Sequence, residues 1–181
     1  MEAMSSVWQV LGPVVSACVV AAGTILCGQA PEGQGGPVVG SSPAIQINPI
    51  GTVRRQGDRA LIDLRPELAP ALDGLSGFSH VWVFYWFHEN DRPEERATLK
   101  VHPRRNPANP FTGVFATRAP VRPNLIGFTC CRIAGINQNI LEVEGLDARE
   151  GSPVLDLKPY IPESDALPEA RVPAWVKKSR E

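Results

Sequence analysis

The chain has 181 residues, is 43% hydrophobic and carries a net charge of −1 with a pI near 6.3. That length supports one well-formed core, and a near-neutral balance argues against a polyanion binder held by bulk charge alone. Its four cysteines include no CxxC pair and no Cys/His ligand spacing, so no metal site is expected, and the adjacent Cys130 and Cys131 read as reduced thiols.

Residues 3–31 contain no charged side chain, and the apolar run 7–27, "VWQVLGPVVSACVVAAGTILC", has 21 residues. As a helix it would cover roughly 30 Å, enough to cross a bilayer. Only Glu2 precedes the run and the first basic residue is Arg54, which is unlike a secretory signal. Three readings stand side by side: an extension or mis-set start, a membrane anchor, or a cleaved signal. An anchor would leave the rest of the chain on the cytoplasmic side by the positive-inside tendency, so the working domain is expected in the cytoplasm. A Gly/Ser/Pro linker at 32–43 follows. The expected organisation is an N-terminal segment and linker over 1–43, a folded domain over 44–166 and a C-terminal tail over 167–181.

From residue 44 onward the pattern is one of short β segments. "IQINPIGTVRR" reads as a first strand and "RALIDL" alternates toward a second, while "PELAPALDGLSG" suits a short helical turn stopped by Gly74 and Gly77. The stretch 78–87, "FSHVWVFYWF", is almost continuously aromatic or β-branched, as a strand covered on both faces would be. "ATLKVHP", "TGVFATRA", "IGFTCCRIAGI" and "NILEVEGLDA" complete the strand list, with a turn at 137–139 between the last two. Regular strands with Gly/Pro/Asn punctuation and little helical periodicity predict a mostly β fold, a small single-domain β-barrel. An irregular proline-rich tail is expected to wrap it.

Charge is unevenly placed. Between Arg96 and Ile140 there is no acidic residue, whereas Arg96, Lys100, Arg104, Arg105, Arg118, Arg122 and Arg132 are basic. Such a block is a local footprint for an anionic partner. Within it, "TRAPVRPN" sets Arg118 and Arg122 among prolines that restrict the backbone, and a stiff loop loses little entropy on binding an anion. Two exposed arginines without a ligand are the plainer reading. His88 and Glu89 end the aromatic strand, at the rim where small barrels bind ligands. Asp147 follows Gly145 and Leu146 at a strand end, where its carboxylate suits a ribose or an amine. Asp156, Lys158 and Tyr160 alternate, so an extended backbone puts an acid, a base and a phenol on one face. An Asp156–Lys158 ion pair is the structural alternative.

Taken together, "IGTVRR", "LSGFSHVWVFYWFHEN", "GVFATRAPVRPNLIG" and "VEGLDAREGSPVLDLKPYIPESDA" closely resemble the TsaA-like (YaeB-like), or TrmO, family of tRNA methyltransferases. The resemblance implies an S-adenosylmethionine-dependent enzyme on a small β-barrel, usually a homodimer. It further implies tRNA as partner and N6-threonylcarbamoyladenosine at tRNA position 37 as acceptor. Carried over by position, it puts donor-binding roles on His88, Glu89, Arg118, Phe128, Glu144, Gly145, Leu146 and Asp147. Arg122, Lys158, Arg104 and Arg105 are then expected to meet tRNA, and Asp156 or Tyr160 to serve as the base. The alternatives are a related barrel with a smaller acceptor and a nucleotide-binding module without catalysis. Three departures from the family pattern stand out. "VRRQGDRALIDL" runs straight through where a Pro-Arg-Gln loop is usual, Leu125 replaces a proline, and Glu89 replaces a glutamine.

Overall fold

The computed structural model describes residues 45–179. The apolar run 7–27 and the linker, with the readings attached to them, lie outside the described residues. Among the described residues, no helix is long and apolar enough to cross a membrane.

The strands are β1 (Gly51–Gln56), β2 (Arg59–Leu64), β3 (His80–Trp86), β4 (Lys100–Val101), β5 (Thr112–Gly113), β6 (Ile126–Asn137), β7 (Ile140–Glu144) and β8 (Pro153–Pro159). Six of them close a barrel in the order β1-β2-β7-β6-β3-β8, and β4 and β5 make a separate ribbon. Every pairing is antiparallel. Alternation builds the core: Val53, Ala60, Ile62, Leu64, Val81, Val83, Tyr85, Leu141, Val143 and Val154 all turn inward. Each fully buried aliphatic side chain of this kind contributes roughly 1.5–3 kcal/mol.

Several expectations shift in detail. The aromatic strand is covered on one face only. Val81, Val83 and Tyr85 are buried, whereas Trp82, Phe84 and Trp86 stay half-exposed on the outer wall of β3, where Asp165, Phe128 and Asp91 touch them without burying them. "PELAPALDGLSG" forms two 3-10 segments, Pro66–Leu72 and Leu75–Gly77, since Pro70 has no N–H for an α-helical bond. The first strand begins at Gly51, leaving Ile45 and Ile47 exposed. "ATLKVHP" and "TGVFATRA" shrink to the two-residue strands β4 and β5. β8, absent from the strands expected above, closes the barrel against β1 and β3. Its prolines sit at its two ends, where a missing N–H costs the ladder least.

The β1–β2 hairpin turns at Gly57, whose φ of 59° favours glycine, and this tight turn stands where the Pro-Arg-Gln loop is usual. The longest excursion runs over 87–125 between β3 and β6 and carries the helical turn α1 (Pro93–Arg96). Leu125 is fully buried, and its carbonyl accepts from the Phe87 N–H at 2.8 Å, so both ends of the excursion are pinned at one point. After β8 the chain makes the turn α2 (Pro162–Asp165), which lies against β3 through a Trp82 Nε1 to Asp165 hydrogen bond of 2.9 Å.

Candidate active-site cleft

The end of β3, the start of β6, the β7–β8 connection and the excursion meet around a cleft of about 640 Å³. Glycine is required at position 127, because a Cβ there would lie 2.6 Å from the Tyr85 ring and 2.7 Å from that of Phe87. The two rings meet edge to face at 5.4 Å, which holds the Tyr85 phenol in place.

That phenol donates to Asp147 Oδ1 at 2.7 Å, and the Thr129 hydroxyl donates to the same oxygen. Burial, reinforced by the bond to Asp147, pushes the Tyr85 phenol well above its usual range. Asp147 projects outward between two anchors, since Leu146 and Ala148 are both buried in the core. Leu146 therefore serves the cleft from behind; its carbonyl accepts from Arg55 Nη1 at 2.7 Å. His88 also lines the cleft, and its Nδ1 lies 3.3 Å from the hydroxyl of buried Ser152, leaving Nε2 without a hydrogen-bond partner among the described residues.

Guanidinium groups dominate the charge of this cleft: Arg92, Arg105, Arg118, Arg122 and Arg149 line it. Arg92 pairs with Glu95 and Arg149 with Glu89. The carboxylate that replaces the usual glutamine at position 89 thus has its own cation, 60 residues away in sequence. Arg105, Arg118 and Arg122 meet no carboxylate within ion-pair distance among the described residues. The Arg118 guanidinium lies 4.9 Å from the centre of the Phe128 ring, and Arg122 closes its own loop on the carbonyls of Thr117 and Ala119, each at 3.4 Å. The backbone before Arg105 is unusual, with φ of 58° at Arg104 and 55° at Arg105.

Seven of the expected site residues come together here: His88, Glu89, Arg105, Arg118, Arg122, Phe128 and Asp147. Others lie elsewhere. Glu144 is on the outer wall, bound to Arg132 at 2.5 Å and Arg59 at 3.3 Å, and the neighbouring guanidinium of Arg132 draws its carboxyl below the usual range. Gly145, with φ of 83°, makes the bend that leads from this network into the cleft. Arg104 donates to the Val176 carbonyl at 3.3 Å, away from the cleft lining. Asp156 is paired with Lys158 at 2.8 Å on the outer face of β8 and accepts from the Leu157 N–H at 2.9 Å, so the ion-pair alternative describes these two residues. Tyr160 stands against Trp82, ring centres 5.9 Å apart, beside the cleft and not in its lining. Tyr85, Thr129, Ser152 and Arg149 are cleft residues that the sequence reading passed over. Only Tyr85 carried a signal, as the one hydroxyl-bearing aromatic side chain within "VWVFYWF".

The family described as the tRNA-methyltransferase O N-terminal domain matches residues 44–166. The chain belongs to this TrmO family. Among its relatives, a Methanocaldococcus jannaschii protein named "Probable S-adenosyl-L-methionine-binding protein" is 40% identical over 112 residues, which are 62% of this chain and 89% of that protein. A mouse protein named tRNA (adenine(37)-N6)-methyltransferase is 38% identical over 125 residues, covering 65% of this chain but 28% of its own length. The crystal structure of TrmO from Pseudomonas aeruginosa superposes with a TM-score of 0.56 at 34% identity, over 71% of this chain and 61% of that one. The chain thus spans less than two thirds of the solved TrmO chain. The closed antiparallel barrel is the TrmO fold, as the strand pattern predicts.

Proposed function

We propose that the protein is an S-adenosylmethionine-dependent methyltransferase acting on N6 of N6-threonylcarbamoyladenosine at position 37 of tRNA. The observation that carries the reading is the cleft itself, where three arginines without carboxylate partners surround an aromatic face and an Asp147 carboxylate held by neutral donors. At about 640 Å³ it is in the usual range for small-molecule sites.

The residues present fit the methyl donor. Phe128 and Trp82 offer aromatic faces, Arg118 a partner for an amino-acid carboxylate, and His88 and Glu89 polar groups at the rim. When bound, the donor supplies an activated methyl group on a sulfonium. The protein's share is positioning, because an in-line displacement gains most from correct alignment. Arg122 and Arg105 are proposed to hold the threonyl carboxylate or tRNA phosphates, with Lys158 and Arg104 as outer contacts for the anticodon arm. A tRNA substrate goes with a cytoplasmic working domain. The half-exposed aromatic outer wall of β3 is the proposed contact for a second copy in a homodimer, with light scattering of the purified protein as its check.

The deciding experiment incubates the protein with methyl-labelled donor and tRNA that carries or lacks threonylcarbamoyladenosine. Label on the modified tRNA alone is the expected result. Donor binding without transfer to either tRNA would indicate a binding module instead, and transfer to both would overturn the acceptor.

A further inference from the structure

The cleft holds three carboxylates, and they are not equivalent. Glu89 and Glu95 each face a guanidinium, from Arg149 and Arg92. Asp147 meets no cation within ion-pair distance among the described residues. Its Oδ1 takes hydroxyl hydrogens from Tyr85 and Thr129, and its Oδ2 makes no hydrogen bond to protein among the described residues. A guanidinium strongly favours the charged form of a carboxylate and weakens it as a base, whereas neutral hydroxyl donors orient it at a smaller electrostatic cost. Asp156 fails on both counts. It is bound to Lys158 at 2.8 Å, and it lies outside the cleft.

The support behind Asp147 is rigid. Leu146 and Ala148 lock the backbone on either side, Tyr85 is locked by Phe87 and by the absence of a side chain at Gly127, and Thr129 is inside the ladder of β6 with β3. One carboxylate oxygen is thereby fixed by donors from two strands, β3 and β6, and the other left for a ligand. That is the arrangement a positioned proton acceptor needs.

Resting on the methyltransferase reading above, we propose that Asp147 is the catalytic base, with Tyr85 and Thr129 as its positioning residues. Oδ2 accepts the N6 proton of the acceptor base. The nitrogen electron pair that held it forms the new N–C bond to the methyl carbon, and the C–S pair withdraws onto sulfur. Sulfonium and carboxylate charges cancel in the step, leaving a neutral thioether, an N-methylated base and a protonated Asp147 that returns its proton to solvent. An N–H flanked by a purine and a carbonyl is acidified by both, so a carboxylate suffices.

The test compares the wild-type chain with Asp147→Asn, Asp147→Ala, Asp156→Asn and the double variant Tyr85→Phe/Thr129→Val. Donor affinity is read by calorimetry, tRNA affinity by filter binding, and transfer to modified tRNA by label. Asp147→Asn is expected to keep both affinities within about twofold and to lose about 100-fold or more in turnover. Added formate should restore part of the activity of Asp147→Ala, and Asp156→Asn should stay close to wild type. The double variant keeps Asp147 itself, so it is expected to lose about tenfold in turnover with donor affinity intact; it also serves if Asp147→Asn fails to fold. Turnover of Asp147→Asn near the wild-type level overturns the assignment. So does a loss that follows weakened donor binding, which would make Asp147 a donor ligand only. A wild type that binds donor yet methylates no tRNA overturns the methyltransferase reading itself, and this assignment with it.

Discussion

Tyr85 hydroxyl and Asp147 Oδ1 are 2.7 Å apart, a single bond that joins the inner wall of the barrel to the cleft. The phenol stays protonated beyond its ordinary range, because burial and the neighbouring carboxylate both disfavour a phenolate. A raised value in the folded state means stability that is complete below the ordinary tyrosine pKa of about 10 and lost as pH rises past it. Since the chain has two tyrosines, the ultraviolet phenolate titration of folded Tyr85→Phe should overlay that of the wild type up to about pH 11. Urea unfolding at neutral pH should show the variant about 1 kcal/mol less stable.

Among the described residues Arg118 is held by its stack on Phe128 and by no ion pair, so it can meet a ligand at little cost to the fold. Arg118→Ala is expected to weaken donor or tRNA binding about tenfold or more while the melting temperature changes little. Calorimetry and thermal unfolding on the same samples check this, and a large drop in melting temperature would make Arg118 a structural residue.

Leu125 departs from the usual proline, and the structure makes it an anchor: fully buried, with its carbonyl bonded to the Phe87 N–H. Leu125→Ala should cost about 2–5 kcal/mol by the cavity it leaves. Urea denaturation measures it. Catalytic loss should follow, since both ends of the arginine-bearing excursion hang on this contact.

Burial pushes the Cys131 thiol up to about 12 and raises that of Cys130 as well. Neither is then a reactive thiolate at neutral pH. Peptide mapping after alkylation at pH 8 should find Cys131 unmodified in the native protein and Cys130 modified slowly, with both labelled once the protein is unfolded.

Asp165 accepts from the Ile161 N–H at 3.0 Å and from Trp82 Nε1 at 2.9 Å, and these donors hold its carboxyl below the ordinary value. A lowered value in the folded state gives stability present above the unfolded aspartate pKa of about 3.9 and lost as pH falls through the folded one. Tryptophan fluorescence should therefore change below pH 4, as α2 comes away from β3. The change should be absent in Asp165→Asn, whose amide does not titrate.

The sequence alone determined the mostly β class and most of the barrel strands, though not the closing strand β8. Alternation in "RALIDL" states which side of that strand is buried, which is local information with a period of two, whereas the aromatic run of β3 reads as covered on both faces and is covered on one. The sequence also marked the basic block between Arg96 and Ile140 as a candidate footprint for an anion, although folding pairs two of its members, Arg96 with Asp91 and Arg132 with Glu144. Only the tertiary structure decided which charges stay free. Lys158 and Asp156 are two residues apart and neutralise each other. Glu89 and Arg149 are 60 apart and do the same, whereas Arg118 and Arg122 keep no acid near them. The choice among carboxylates was equally out of reach, since Asp147 owes its place to Tyr85 and Thr129, which reach it from two other strands. Ion pairing and hydrogen bonding depend on distance in space, and barrel closure sets those distances through register and not through order along the chain.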